Sequence, residues 1–137
     1  MKKIISTTDA PAAIGPYSQA IRAGSTVYCS GQIGLDPKSG RIASKDVSDQ
    51  TRQVLDNITA VLKVEGLSFE HVVKTTVFLA DLADFETVNK VYASYFKQAP
   101  PARSTVQVAA LPKGARIEIE VIAVADAGGQ TVGDTSG

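Results

Sequence analysis

The sequence is poor in the residues that most often carry chemistry or cross-links. It has one cysteine, Cys29, and one histidine, His71, in 137 residues. A single thiol cannot close an internal disulfide, and a cysteine-based zinc site needs more ligands, so a disulfide scaffold and a zinc finger are both excluded. Any metal would have to be held by carboxylates alone. Neither sign of charge is in excess: Lys plus Arg number 14 and Asp plus Glu number 14. Such a balance provides no long-range attraction to nucleic acid or to an anionic membrane. No apolar run approaches the roughly 20 residues of a membrane span. Met1 to Ile5 passes at once into Ser6-Thr7-Thr8-Asp9, an apolar stretch far too short for a signal peptide. A soluble protein of a reducing, cytoplasmic compartment is the expectation.

What is present reads as one folded domain. Hydrophobic residues make up 44% and charged residues 20%, close to globular averages. Residues 1–5 suit a short edge strand, and Asp9 to Gly15 an irregular lead-in. Gln19 to Arg22 and Thr26 to Ile33 are strand-like and flank the hairpin signal Ala23-Gly24-Ser25. After the turn Asp36 to Gly40, Val47, Thr51, Val54, Leu55, Ile58, Val61 and Leu62 form one apolar helical stripe. Asp46 is its N-cap and Gly66 its stop. Val72 to Leu79 carries few charges and reads as a strand covered on both faces. A second helix follows through Phe85, Val88, Val91, Tyr92, Tyr95 and Phe96, with Asp84 as its cap. Pro100-Pro101 sets an extended approach to a strand over Ser104 to Ala109, and Ile117 to Ala125 is the last strand. The order β-β-β-α-β-α-β-β predicts an α/β (α+β) sheet packed with helices. The domain runs over residues 1–126, and 127–137, rich in Gly, Thr and Ser, is a flexible tail.

Five polar features can carry chemistry, each with a plain structural alternative. Tyr17, beside the backbone fixed by Pro16, offers a hydroxyl to a ligand or packs on the sheet. Ser30-Gly31-Gln32 allows close approach to the backbone or marks a β-bulge. Arg103 presents a rigid fork suited to a carboxylate, or is a strand-end arginine in solvent. Glu118 and Glu120 share one strand face, which continues into Ile122 and Val124; they are candidates for acid–base work or an ordinary half-exposed strand. Asn89, a poor helix former inside a helix, has a contact reason to be there. Cys29 reads as a buried small hydrophobe and His71 as a surface or capping residue.

Together these features are specific. Gly15-Pro16-Tyr17-Ser18-Gln19-Ala20, Ser30-Gly31-Gln32-Ile33, Thr75-Thr76-Val77-Phe78-Leu79, Asp84-Phe85-Glu86-Thr87-Val88-Asn89, Pro101-Ala102-Arg103-Ser104-Thr105-Val106, Leu111-Pro112 and Ile117-Glu118-Ile119 follow in order. From about Ile4 to Val124 the chain resembles the RidA (YjgF) family. The resemblance implies a chorismate-mutase-like fold, a six-stranded mixed sheet with two helices on one face, and a homotrimer with clefts at the subunit interfaces. The apolar content, more than two helices and a small sheet need, suits such a trimer. It also implies hydrolysis of 2-imino acids and their enamine tautomers, released by pyridoxal-phosphate dehydratases, to 2-oxo acids and ammonia, without cofactor, metal or nucleic acid. Carried over by position, Arg103 matches the clamp on the substrate carboxylate, Glu118 the residue that positions the attacking water, and Tyr17 the pocket tyrosine. Ser30, Gly31 and Asn89 match cleft-lining positions. Thr105 stands where many members carry cysteine, and the segment between Phe96 and Arg103 is shorter than usual; both bear on substrate size. Three other readings compete: a carboxylate-binding regulatory trimer, an RNA-cleaving or translation-inhibiting relative, and a paralogue acting on a larger enamine.

Overall fold

The apolar stripe beginning at Val47 folds as helix α1, Val47–Lys63. Its first turn is capped by Asp46, whose side chain accepts from the backbone N–H groups of Ser48 and Asp49. This supplies two of the donors that a helix N-terminus leaves orphaned. At the far end Gly66 takes a left-handed backbone (φ +71°), and Leu67 N–H returns to the Leu62 carbonyl, a glycine-ended stop. The buried side is Val47, Thr51, Val54, Leu55, Ile58, Val61 and Leu62, joined by Gln50 and Asn57.

The computed structural model describes residues 1–128. The strands are β1 (Lys2–Ile5), β2 (Ala20–Ala23), β3 (Thr26–Ile33), β4 (Val72–Leu79), β5 (Ala102–Gln107) and β6 (Ile117–Val124), and the second helix is α2 (Phe85–Tyr95). They form one six-stranded sheet in the order β1-β2-β3-β6-β4-β5. Every neighbouring pair is antiparallel except β4 and β5. β6, last in the chain, therefore lies between β3 and β4 and splits the β3-α1-β4 unit, while β4-α2-β5 is an unbroken crossover. This is the mixed sheet with two helices that the sequence predicts, with the predicted element order.

Both helices pack on the same side of the sheet and share one core. On β6, Ile117, Ile119, Val121 and Ala123 point into it; on β4, Val72, Thr75, Val77 and Leu79 do. The expectation that β4 is covered on both faces is corrected here. Its alternate residues are open or half-buried, Val73 being 39% exposed, because no helix crosses the second face. Two further boundaries differ. β5 starts at Ala102, two residues before the predicted Ser104, since its parallel register pairs Ala102 with Lys74 and Arg103 with Thr75. Asp84 precedes α2 but makes no capping bond; its carboxylate takes Arg116 Nη2 at 2.7 Å instead.

Cys29 is buried, and burial pushes its thiol up to about 12, which suits the small hydrophobe expected there. His71 caps locally, its Nδ1 accepting from Ser68 N–H at 3.0 Å. Of the segment expected to be a tail, Ala127 closes a short 3₁₀ turn from Ala125. Gly128 lies against the His71 ring, where an added Cβ would stand 3.0 Å from Cδ2; residues 129–137 lie outside the described part. Among the described residues no helix is long and apolar enough to cross a membrane.

Ile58 sits at the middle of the α1 stripe and is fully buried. Ile58→Ala is expected to destabilise by about 2–5 kcal/mol, read as a lower midpoint in urea with an unchanged slope.

Candidate active site

Two clusters of the predicted residues form, on opposite faces of the sheet. The first lies at the end of β3. There β3 pairs with β6 through Cys29↔Val121 and then Gln32↔Ile119, three steps on one strand against two on the other. The extra residue is a β-bulge at Ser30-Gly31. The β-bulge reading of this tripeptide holds, and the group that comes close to the backbone at the bulge is a side chain of the same chain. Glu118 lies over Gly31: a Cβ there would fall 2.8 Å from Glu118 Cδ and 3.1 Å from its Cγ, and would overlap Oε2. Any side chain at position 31 would displace the carboxylate.

Tyr17 completes this cluster. Residues 6–19 fold back over the sheet because Gln19, buried, holds them. Its Oε1 accepts from Thr7 N–H at 2.7 Å, and its Nε2 donates to the carbonyls of Thr7 and Pro11 at 3.0 and 2.7 Å. Ser30 Oγ donates to the Ser18 carbonyl at 2.6 Å, so this hydroxyl anchors the loop that carries Tyr17. The Tyr17 ring is 53% exposed, and its oxygen accepts from Ile14 N–H at 3.4 Å. Tyr17, Gly31 and Glu118 line one cleft of about 370 Å³ with Ile14, Ile33 and Pro112. Burial, and then the charge of Glu120 on the same strand face, raise the Glu118 carboxyl above its ordinary value of 4.5. A carboxylate lifted in this way is a stronger base toward water than a free one.

The second cluster is at the β5 edge. Arg103 pairs with the buried Thr75 and so points to the helix side of the sheet. Its Nη1 donates to Asn89 Oδ1 at 2.8 Å, which is the contact reason expected for an asparagine inside α2. Its guanidinium carbon lies 4.9 Å from the Tyr92 ring centroid and 5.4 Å from that of Phe85. Thr105 is two residues further along the strand, on the same side and half-buried.

Glu118 lies between Ile117 and Ile119, both fully buried beneath the helices, and so points to the open side. It and Arg103 thus face apart, and β5 lies two strands from β6, about 10 Å across the sheet. One copy of the chain therefore does not bring the Arg103 guanidinium and the Glu118 carboxylate together. From sequence, Phe85 and Tyr92 belong only to the apolar pattern of the second helix. Their spacing from Asn89, at i, i+4 and i+7, is the signal that places all three on one helix face. Among the described residues no group of three or more His, Cys, Asp or Glu comes together as for a metal ion.

Comparison with known proteins bears on the same residues. The sequence model of the family described as endoribonuclease L-PSP matches residues 7–125. The 2-iminobutanoate/2-iminopropanoate deaminase of Mus musculus is 56% identical over 124 residues, covering 90% of this chain and 92% of that protein. The E. coli protein TdcF, solved with bound serine, is 50% identical with a TM-score of 0.85, covering 89% and 98% of the two chains. RidA from a Psychrobacter species is 46% identical with a TM-score of 0.86, covering 89% and 98%.

Gly31→Ala tests the close approach to Glu118. It is expected to displace the Glu118 carboxylate, and a kcat/KM lower by about 100-fold would mark that carboxylate as one the reaction needs. In the Glu118→Gln background the same substitution should add little, as two changes at one contact do.

Proposed function

Because the chain belongs to the RidA family, whose sequence model is described as endoribonuclease L-PSP, we propose that it hydrolyses 2-imino acids and their enamine tautomers to 2-oxo acids and ammonia. The observation that carries this reading is the Glu118 carboxylate, raised in pKa and seated over Gly31 beside Tyr17, in a chain 56% identical to a 2-iminobutanoate/2-iminopropanoate deaminase.

A protonated imine is already electrophilic, so the protein has to hold it, orient a water and move protons. Arg103 holds the substrate carboxylate through two parallel hydrogen bonds. Glu118 takes a proton from water as the water oxygen bonds to the imine carbon, giving a carbinolamine. The same carboxyl then returns that proton to nitrogen. The C–N bond breaks as the carbinol O–H gives its proton back to Glu118, leaving the 2-oxo acid. The proton then passes to ammonia, so iminium and water become 2-oxo acid and ammonium. Orientation supplies several kcal/mol of the barrier and acid–base transfer about 10²–10⁴-fold. Tyr17 directs its hydroxyl into the same cleft. TdcF, a relative of the same fold, was solved with serine, a small molecule bearing the carboxylate that Arg103 is suited to bind.

The reading includes a homotrimer, in which the helix-side edge of one copy brings Arg103 to the Glu118 cleft of the next. It also includes a cytoplasmic setting, where dehydratases release such imines. The opposite facing of the two clusters supports the shared site, since each copy has both halves but not in one place.

Complementation tests the shared site. Arg103→Ala and Glu118→Gln chains should each be inactive as pure assemblies. Co-refolded in equal amounts, they should regain about a quarter of the sites, as random mixing in a ring gives. Activity is read as competition with semicarbazide for 2-iminobutanoate made by a threonine dehydratase. A monomer in light scattering, or no recovery on mixing, would reject the shared site.

The pH profile tests the base. Burial and the charge of Glu120 make Glu118 hold its proton more tightly than it would without them, so kcat/KM falls on acidification as that carboxylate is protonated. Glu120→Gln removes the second of these causes and should move the acid limb to lower pH while keeping most of the rate. Arg103→Lys keeps the charge but loses the fork, so kcat/KM should fall by tenfold or more despite the conservative change.

A further inference from the structure

The guanidinium of Arg103 is exposed, and an exposed arginine normally samples many rotamers. Here three side chains from one face of α2 restrict it. Asn89 Oδ1 takes Nη1 at 2.8 Å. The Tyr92 ring lies 4.9 Å from the guanidinium carbon, and the Phe85 ring 5.4 Å. The Tyr92 ring is itself fixed from below: its hydroxyl shares a 2.8 Å hydrogen bond with Thr75 Oγ1, both groups being buried. Thr75 is the residue paired with Arg103 across β4 and β5. The residue that locks the ring and the residue that the ring supports are therefore side by side in the sheet. The Nε–Nη2 edge of Arg103 has no partner among the described residues.

We propose that Tyr92 is a positioning residue for Arg103: its ring, locked by Thr75, forms with Phe85 a shelf that holds the guanidinium so that the Nε–Nη2 edge is offered to the substrate carboxylate. This rests on the reading of Arg103 as the carboxylate anchor. Tyr92 does not touch substrate. It acts by removing Arg103 rotamers before binding, which lowers the ordering cost at the moment of binding.

The experiment uses the full-length protein and two independent readouts. The first is the Arg103 Nε–H resonance in protein labelled with ¹⁵N-arginine, without ligand. It should be ordered in wild type and mobile in Tyr92→Leu, with Tyr92→Phe, which keeps the ring but loses the bond to Thr75, standing between them. The second is the affinity for 2-oxobutanoate set against that for its neutral amide, 2-oxobutanamide. Tyr92→Leu should lower the preference for the carboxylate about fivefold, the size of one cation–π contact, with Tyr92→Phe within twofold of wild type. In the Arg103→Ala background the Tyr92 substitution should change this preference no further. A change that merely loosens the fold weakens both ligands alike and leaves the preference intact. If Tyr92→Leu fails to fold, Phe85→Leu at the half-buried end of the helix is expected to show the same pattern more weakly. An Arg103 resonance equally ordered in Tyr92→Leu and Phe85→Leu would overturn the proposal. Failure of the carboxylate reading itself looks different: wild type would then bind the acid and the amide equally, while the resonance still reports whether Tyr92 orders Arg103.

Discussion

Both helices lie on one side of the sheet, and most of the functional geometry follows from that. Side chains on a strand alternate between faces, so a sheet covered once sorts each strand into a dry set and an open set. On β6 the dry set is Ile117, Ile119, Val121 and Ala123, and the open set is Glu118, Glu120, Ile122 and Val124. Glu118 stays at a boundary: buried enough to be raised in pKa, yet not shut beneath a helix. The same alternation, applied to an edge strand in parallel register with β4, turns Arg103 to the helix side, where α2 supplies Asn89, Tyr92 and Phe85. One constraint thus gives Glu118 its environment, gives Arg103 its support and separates the two within a single chain.

The two clusters remain mechanically linked through Arg116 and Asp84. Arg116 lies two residues before Glu118, and Asp84 immediately before Phe85. The pair is made at 2.7 Å, with Asp84 only 13% exposed, and the second Asp84 oxygen is buried without a partner among the described residues. Arg116 also donates through Nη1 to the Lys45 carbonyl, while its backbone N–H donates to Gln50 Oε1. The start of β6, the start of α2 and the approach to α1 therefore meet at one residue. Asp84 is worth more here as an ion-pair partner than as a helix cap, which is why the capping rule did not describe it.

Local chemistry made much of the fold legible. Alternation marked β6, the 3.6-residue period marked α1, and Asp46 and Gly66 marked its ends. The residues without such local signals were misread for a common reason: their environment is set by chain that is distant in sequence. Val73 is open because α1 and α2 chose the other face. β5 begins at Ala102 because β4 pairs with it there. Ser30 and Gly31 were named together from sequence, but the serine holds the Ser18 carbonyl while the glycine makes room for Glu118. Tyr92 belongs to the apolar pattern of α2 and is buried, yet one face of its ring supports Arg103. Periodicity identifies which side of a helix is buried, but not which buried ring is also a platform.

The separation of anchor and base has an electrostatic consequence in the shared-site reading. In one chain Glu118 has burial and Glu120 raising its pKa, with no cation among the causes. Arrival of Arg103 from a neighbouring copy brings a positive charge toward the cleft, and an opposite charge favours the ionised carboxylate. Assembly would thus complete the anchor and shift the base toward its working form in one step. Bound substrate then brings two charges: a carboxylate, which offsets the arginine, and an iminium cation beside Glu118, which again favours the ionised carboxylate. Cys29 is buried and its thiol is pushed up to about 12, so in the same reading it is water oriented by Glu118, and not a thiolate, that meets the electrophilic carbon.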